Sequence, residues 1–278
     1  MVQLGKYNRL AVVKNVDFGA YLDGGDGVEI LLPARYISSP LQPGDIVEVF
    51  VYKDSEGRLI ATTEHPYATV GEFAFLQVSA VNNIGAFLDW GLPTKELLLP
   101  FREQKSRLRE GMVIPVYIFV DDTTKRIVAS AKIEKFIGNV LPDLKPHTPV
   151  KALIYKRTDI GYKAVVDNLY HGMIYANEIY SPLEIGETIP AFVKAVRPDG
   201  KIDLSLTGTE NDRVNELSER ILSRLRTVPD HFLPVGDSTS PDAIREMFQC
   251  SKKDFKKAIG HLYSSRTISI GNGGIKLV

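Results

Sequence analysis

Most of this chain alternates short apolar runs with glycine, proline and acidic turn residues, the mark of strands rather than helices. NRLAVVKNV at 8–16, the segment 20–23, GVEILLP, DIVEVFVYK and RLIATT read as five strands, with DSEG at 54–57 turning the last pair. DIVEVFVYK alternates imperfectly, which predicts that both of its faces are partly covered. The stretch VKNVDFGAYLD at 13–23 then returns as VSAVNNIGAFLD at 78–89, and the same order of runs follows each copy. Gly19 and Gly85 lie 66 residues apart and Gly44 and Gly111 lie 67 apart, so the module is duplicated.

A third copy runs through LIYKRTDIGYKAVVD (153–167), HGMIYANEI (171–179) and LEIGETIPAFVKAVRPDGKIDLSL (183–206). Its glycine, Gly186, arrives 75 residues after Gly111, and GNVLPDLKPHTP at 138–149, with three prolines, reads as an inserted linker. Five strands in about 65 residues, with a longer connection between the third and fourth, suit a small closed barrel of the OB type. Gly19 is expected to bend one long strand so that it serves both sides of the barrel.

Beyond 206 the apolar period changes to that of helices. Val214, Leu217, Ile221, Leu222 and Leu225 share one stripe, with Asp212 as the expected N-cap. Ser240 with Pro241 opens a second helix and Ser251 a third, whose buried stripe is Phe255, Ile259 and Leu262. A short strand at HFLPV and a terminal hairpin turning at 271–274 complete the order of a winged helix-turn-helix. The expected organisation is mainly β with a small α+β domain: barrels at 1–64, 65–137 and 150–208, a linker at 138–149 and a winged helix at 212–278.

Composition narrows the classes. With 278 residues and 44% hydrophobic side chains, the chain suits four compact units better than one large core. A single cysteine, Cys250, excludes an intramolecular disulfide framework and a multi-cysteine zinc site. No apolar run approaches a membrane span and MVQLGKYNRL lacks the order of a signal peptide, so a soluble, cytoplasmic protein without a membrane partner is expected. Net charge is zero, and by module it runs −3, 0, 0 and +3. Nearly neutral modules must bind any polyanion through local patches, stacking and hydrogen bonds.

Phe18-Gly19-Ala20-Tyr21-Leu22, with the strands that follow, resembles the S1 RNA-binding domain family. The resemblance implies that Phe18 and Tyr21 lie on a nucleic-acid face, while Pro33 replaces that family's usual histidine and Arg35 follows two residues later. In the second copy Ile84 replaces the leading aromatic, Phe87 remains, and Pro100 stands for the histidine. The third copy has Gly161-Tyr162-Lys163 at the Gly-Ala pair and places Tyr175 at the histidine position. Candidate RNA contacts are thus Phe18, Tyr21, Arg35, Phe87, Tyr162, Lys163 and Tyr175, with Tyr155 and His171 as alternatives in the third module. Arg102 joins them from FREQKSRLREG at 101–111, which reads either as a phosphate-contacting patch or as a solvated helical turn of paired charges. Phe18 and Tyr21 have packing as their alternative, and Trp90 is either a base platform or a wedge anchoring a loop.

The third helix of the last domain sets Lys252, Lys253, Lys256 and Lys257 near one side. They form a phosphate-contacting face or merely solvate a helix used for packing. Three such barrels and SKKDFKKAIGHLY in a winged helix together resemble the conserved virulence factor B family of bacterial proteins. That resemblance implies RNA binding, a post-transcriptional or regulatory influence on gene expression and no catalysis; single-stranded RNA is the expected partner, and no cofactor is expected. The alternative is a DNA-binding or protein-interaction scaffold acting through the winged helix, with degenerate barrels. Asp121-Asp122 falls at the turn that Asp54 and Asp199 occupy in the other copies, and no glycine-rich phosphate cradle occurs, so neither metal nor nucleotide chemistry is expected.

Overall fold

The computed structural model describes residues 2–138, 140–179, 182–271 and 273–278. Five strands, β1 (Tyr7–Val16), β2 (Gly19–Asp23), β3 (Glu29–Pro33), β4 (Ile46–Lys53) and β5 (Leu59–Thr62), close a barrel in the order β1-β2-β3-β5-β4. Leu10, Val12, Ala20, Leu22, Ile30, Leu32, Val49, Val51 and Ala61 fill it. The second barrel repeats the topology with β6 (Phe73–Val81), β7 (Gly85–Leu92), β8 (Lys95–Pro100), β9 (Val113–Val120) and β10 (Ile127–Ser130). The third does so with β11 (Pro149–Thr158), β12 (Gly161–Val166), β13 (Tyr170–Tyr175), β14 (Thr188–Val196) and β15 (Ile202–Ser205).

Burial on β4 shows why its alternation was imperfect. Val49 and Val51 point into the first barrel, whereas Phe50 and Tyr52, on the opposite face, join the core of the second. Trp90 meets them there: only 1% exposed, it packs edge-on to Phe50 at 5.4 Å and donates its indole N–H to the Ala68 carbonyl at 2.7 Å. The indole is therefore a wedge between barrels, not a base platform. Each barrel and the last domain keeps a core cluster of its own, Phe50 and Tyr52 tie the first barrel to the second, and the chain groups into two compact units, 1–137 and 138–278.

The repeated glycine also acts differently from the expected bend. Gly19, Gly85 and Gly161 begin the second strand of each hairpin, at φ of +154°, +157° and +143°. A Cβ there would lie 2.1 Å, 2.4 Å and 2.0 Å from the carbonyl oxygens of Leu32, Leu99 and Ile174. The glycines permit close strand approach, while the irregularity that curves the first strand lies at Val12/Lys14, Val78/Ala80 and Ile154/Lys156.

The second unit begins with the segment expected to be a linker. It runs instead along the third barrel: Gly138 donates to the Leu169 carbonyl at 2.7 Å, Leu144 packs on the barrel core, and the His147 amide donates to Val193 at 2.6 Å. Its prolines coexist with an apolar anchor. The last domain comprises α1 (Glu210–Thr227), β16 (Phe232–Leu233), α2 (Pro241–Phe248), α3 (Lys252–Ser264), β17 (Ile268–Gly271) and β18 (Gly274–Leu277), with strand order β16-β18-β17. The turn expected at 271–274 includes Asn272, outside the described residues. Leu217, Ile221, Leu225, Phe255, Ile259 and Leu262 pack its core. Thr209, not Asp212, caps α1: the Thr209 hydroxyl accepts from the Asp212 amide at 3.2 Å and the Asp212 carboxylate accepts from the Thr209 amide at 2.7 Å. A threonine three residues before an acid satisfies two amides reciprocally, and a lone aspartate cannot.

Candidate nucleic-acid interface

Each barrel presents its β-hairpin in the same register. Gly19 faces Pro33, Gly85 faces Pro100 and Gly161 faces Tyr175, so the three residues aligned with the family histidine occupy one equivalent position. The residue just before each glycine projects into solvent: Phe18, Ile84 and Ile160 are 57%, 53% and 61% exposed. One residue past the glycine, Ala20, Ala86 and Tyr162 turn inward; two past it, Tyr21, Phe87 and Lys163 turn outward. Tyr162 is consequently removed from the candidate contacts. It is 8% exposed and belongs to the third barrel's core, replacing an alanine on the inner face.

In the first barrel Phe18 and Tyr21 meet edge to face, 6.3 Å apart at 84°. Lys14, cross-strand from Tyr21, holds its ammonium 5.0 Å from that ring and pairs with Glu29 at 2.6 Å. Arg35 lies exposed with its guanidinium 4.7 Å over Tyr36. This is a small aromatic surface flanked by cations, which can stack a base and meet a phosphate. Sequence reading missed Lys14, whose contact follows from strand register.

The second barrel keeps Phe87 half-buried and facing outward. Arg102 sits in the helical turn Phe101–Glu103 and spends its guanidinium on Asp121. Asp121 in turn accepts from the amide and hydroxyl of Thr124 at 2.8 Å and 2.9 Å, and these bonds hold its carboxyl below the usual range. Arg102 is thus tied to a structural turn, which weakens its case as a phosphate contact. The rest of 101–111 forms no regular helix: buried Leu108 anchors it, Lys105 pairs with Glu134, and Arg107 and Arg109 remain exposed. Phe101, 51% exposed beside this loop, is an aromatic that sequence reading passed over.

The third barrel replaces aromatic surface by charge. Lys163 faces Lys156 directly across the strands, and both are exposed. Like charges in that position repel, so the pair favours an anion between them. Tyr175 shares its hydroxyl with Arg197, whose guanidinium also binds Asp203 at 2.7 Å and lies 5.8 Å from the tyrosine ring. Hydrogen bonding to Asp203 holds Arg197 above its ordinary range, so the cation is fixed beside the ring. Tyr155 is buried, and His171 is half-buried on β13.

In the winged helix Ser251 caps α3, accepting from the Asp254 amide at 3.1 Å. Lys256 pairs with Asp237 at 3.2 Å and Lys257 pairs with Glu210 on α1. Lys252 and Lys253 have no ion-pair partner among the described residues, so the four-lysine face divides into two structural and two available cations. Among the described residues there is no cluster of metal-binding side chains, and no helix is long and apolar enough to cross a membrane.

Two family models match the chain: the S1 domain over residues 4–64 and a CvfB-like winged helix domain over 219–277. These are nucleic-acid-binding domain types, not enzyme families. The chain is 28% identical to a Bacillus subtilis protein called uncharacterized protein YitL, across 97% of this chain and 92% of that one. It is 29% identical to conserved virulence factor B of Staphylococcus saprophyticus, covering 92% and 88% of the two chains. The Staphylococcus aureus protein of that name is 26% identical over 91% and 86%. A Streptococcus pneumoniae crystal structure described as a multidomain protein with nucleic acid binding domains aligns over 99% of this chain and 98% of that one, with 24% identity and a TM-score of 0.42.

Proposed function

We propose that this chain, which belongs to the conserved virulence factor B family, binds single-stranded RNA through its barrels and winged helix and regulates gene expression after transcription. It acts in the cytoplasm, by binding rather than catalysis. The observation that carries this reading is the thrice-repeated hairpin with an exposed apolar residue before its glycine and an outward aromatic or cation two positions after it. Solvating large apolar groups at three equivalent positions makes sense where flat bases stack on them. Modest individual sites joined in one chain gain affinity through effective concentration.

Direct binding of a labelled single-stranded RNA and a duplex DNA to the full chain, across a salt series, tests this. Phe18→Ala, Tyr21→Ala and Phe87→Ala combined should weaken RNA binding by about a hundredfold at unchanged stability, since a stacked base contributes roughly 1–3 kcal/mol. Preference for duplex DNA, with affinity unmoved by the triple variant but lost in Lys252→Ala/Lys253→Ala, overturns the reading in favour of the winged helix.

A further inference from the structure

Where the first two barrels meet, they leave a cleft of about 270 Å³ among Lys53, Ile84, Phe87, Trp90, Lys95 and Arg126. Asp54 and Glu96 also line it, and the rest of its walls are of two kinds. Phe87 and exposed Ile84 supply an apolar side, while Lys95 and Arg126 supply a cationic one. Among the described residues neither cation is within ion-pair distance of a carboxylate, and Lys95 is half-buried. The nearby Asp54 carboxylate is already held by Arg58 at 2.8 Å. Burial and the neighbouring Arg126 charge push the Lys95 ammonium below the usual lysine range, with Asp54 opposing them. Lys95, half-buried beside the exposed Arg126, carries a charge that an anion entering between the two would stabilise.

We propose that this cleft binds one nucleotide unit, its base against Phe87 and Ile84 and its phosphate between Lys95 and Arg126. Charge complementarity with a planar apolar wall selects this occupant, since an inorganic anion leaves the Phe87 side unused and an apolar ligand leaves the cations unpaired. The unit is either a free nucleotide or one residue of a bound strand; in the second case the inference rests on the RNA reading above and deepens it. Trp90, the single tryptophan, lines the cleft and reports its occupancy.

The experiment follows the indole N–H resonance of Trp90 in the full chain. Inorganic phosphate, adenosine, adenosine 5′-monophosphate and a twelve-residue oligoadenylate are added in turn. The expected result is saturable movement of the resonance with the monophosphate or the oligomer. Phosphate or adenosine alone should bind at least about tenfold more weakly, because each keeps only one of the two walls. Lys95→Gln/Arg126→Gln should weaken that response by about tenfold or more with an unchanged melting temperature, since hydrogen bonds to charged groups are lost. Phe87→Leu should weaken it with base-bearing ligands alone.

Movement with the monophosphate but not the oligomer identifies a free nucleotide as occupant, and movement with the oligomer alone identifies a strand. If the oligomer binds by filter assay while Trp90 stays still and Lys95→Gln/Arg126→Gln binds equally, the cleft proposal falls and the RNA reading stands. If no oligomer binds but the monophosphate moves Trp90, the cleft stands and the RNA reading falls. A response that the double variant leaves intact also overturns the proposal.

Discussion

The first and third barrels share topology, hairpin glycine, strand irregularity and register, yet present opposite chemistry. Across the hairpin the first barrel sets Lys14 against Tyr21, with Phe18 beside the ring; the third sets Lys156 against Lys163, with Ile160 ahead of the glycine. Opposite the glycine the first has Pro33, and the third has Tyr175 fixed by Arg197 and Asp203. The inward positions hardly vary in role because closing a five-stranded barrel leaves little volume, and outward positions are free to change because water accepts any of them. A duplicated barrel can therefore hold its fold while one copy stacks and another attracts charge.

The comparison breaks most severely at the barrel junction. Trp90→Ala should destabilise the first unit by roughly 3–5 kcal/mol through cavity formation and an orphaned Ala68 carbonyl. Chemical denaturation of the full chain should then show the unit at 1–137 unfolding early and that at 138–278 unmoved; a uniform shift would mean the two units do not unfold separately.

Equivalence of the hairpins is tested next by Gly19→Val and Gly161→Val. Each should cost roughly 2–4 kcal/mol, because a Cβ collides with a backbone carbonyl and φ lies in the glycine region. Unfolding curves for the two variants should shift comparably, and loss in only one would show that the glycines serve different ends.

Their difference is sharpened by Tyr21→Ala and Lys163→Ala. Both should weaken RNA binding by about 1 kcal/mol, but only Lys163→Ala should lower the salt slope by about one unit, since only it removes a phosphate charge. Equal salt slopes would erase the distinction between stacking and charge.

Smallest is the turn shared by the two barrels. Burial alone would raise the Asp54 carboxyl, but bonds from the Arg58 side chain and amide outweigh it, and the Lys201 side chain and amide lower Asp199. Both folded-state values lie below the unfolded ones, so the stabilisation is present above the ordinary carboxylate range and lost as pH falls through the lowered values. Asp54→Asn and Asp199→Asn should each flatten the acid limb of stability against pH, read from thermal unfolding between neutral and strongly acidic buffers.

Much of the architecture was legible because barrel strands leave a period of two and this one leaves it three times over. The site was legible in part. Tyr21, Phe87 and Lys163 do face outward at one equivalent position, and the same alignment contained the sign that Tyr162 would not, since it stands where Ala20 and Ala86 turn inward. Arg102 stayed open between a phosphate contact and a paired charge because its partner Asp121 is 19 residues away. Lys256 and Lys257 likewise looked like a binding face until Asp237 and Glu210 were brought beside them.

The sequence by itself determined the strands, the three barrels and the winged helix, because these depend on residue spacing within one module. Tertiary structure alone decided that Phe50, Tyr52 and Trp90 join two barrels, that Gly138, Leu144 and His147 hold to the third, and that Phe87, Lys95 and Arg126 share a cleft. Those facts depend on which surfaces meet across modules. Periodicity carries the direction of a side chain but not the identity of what it meets.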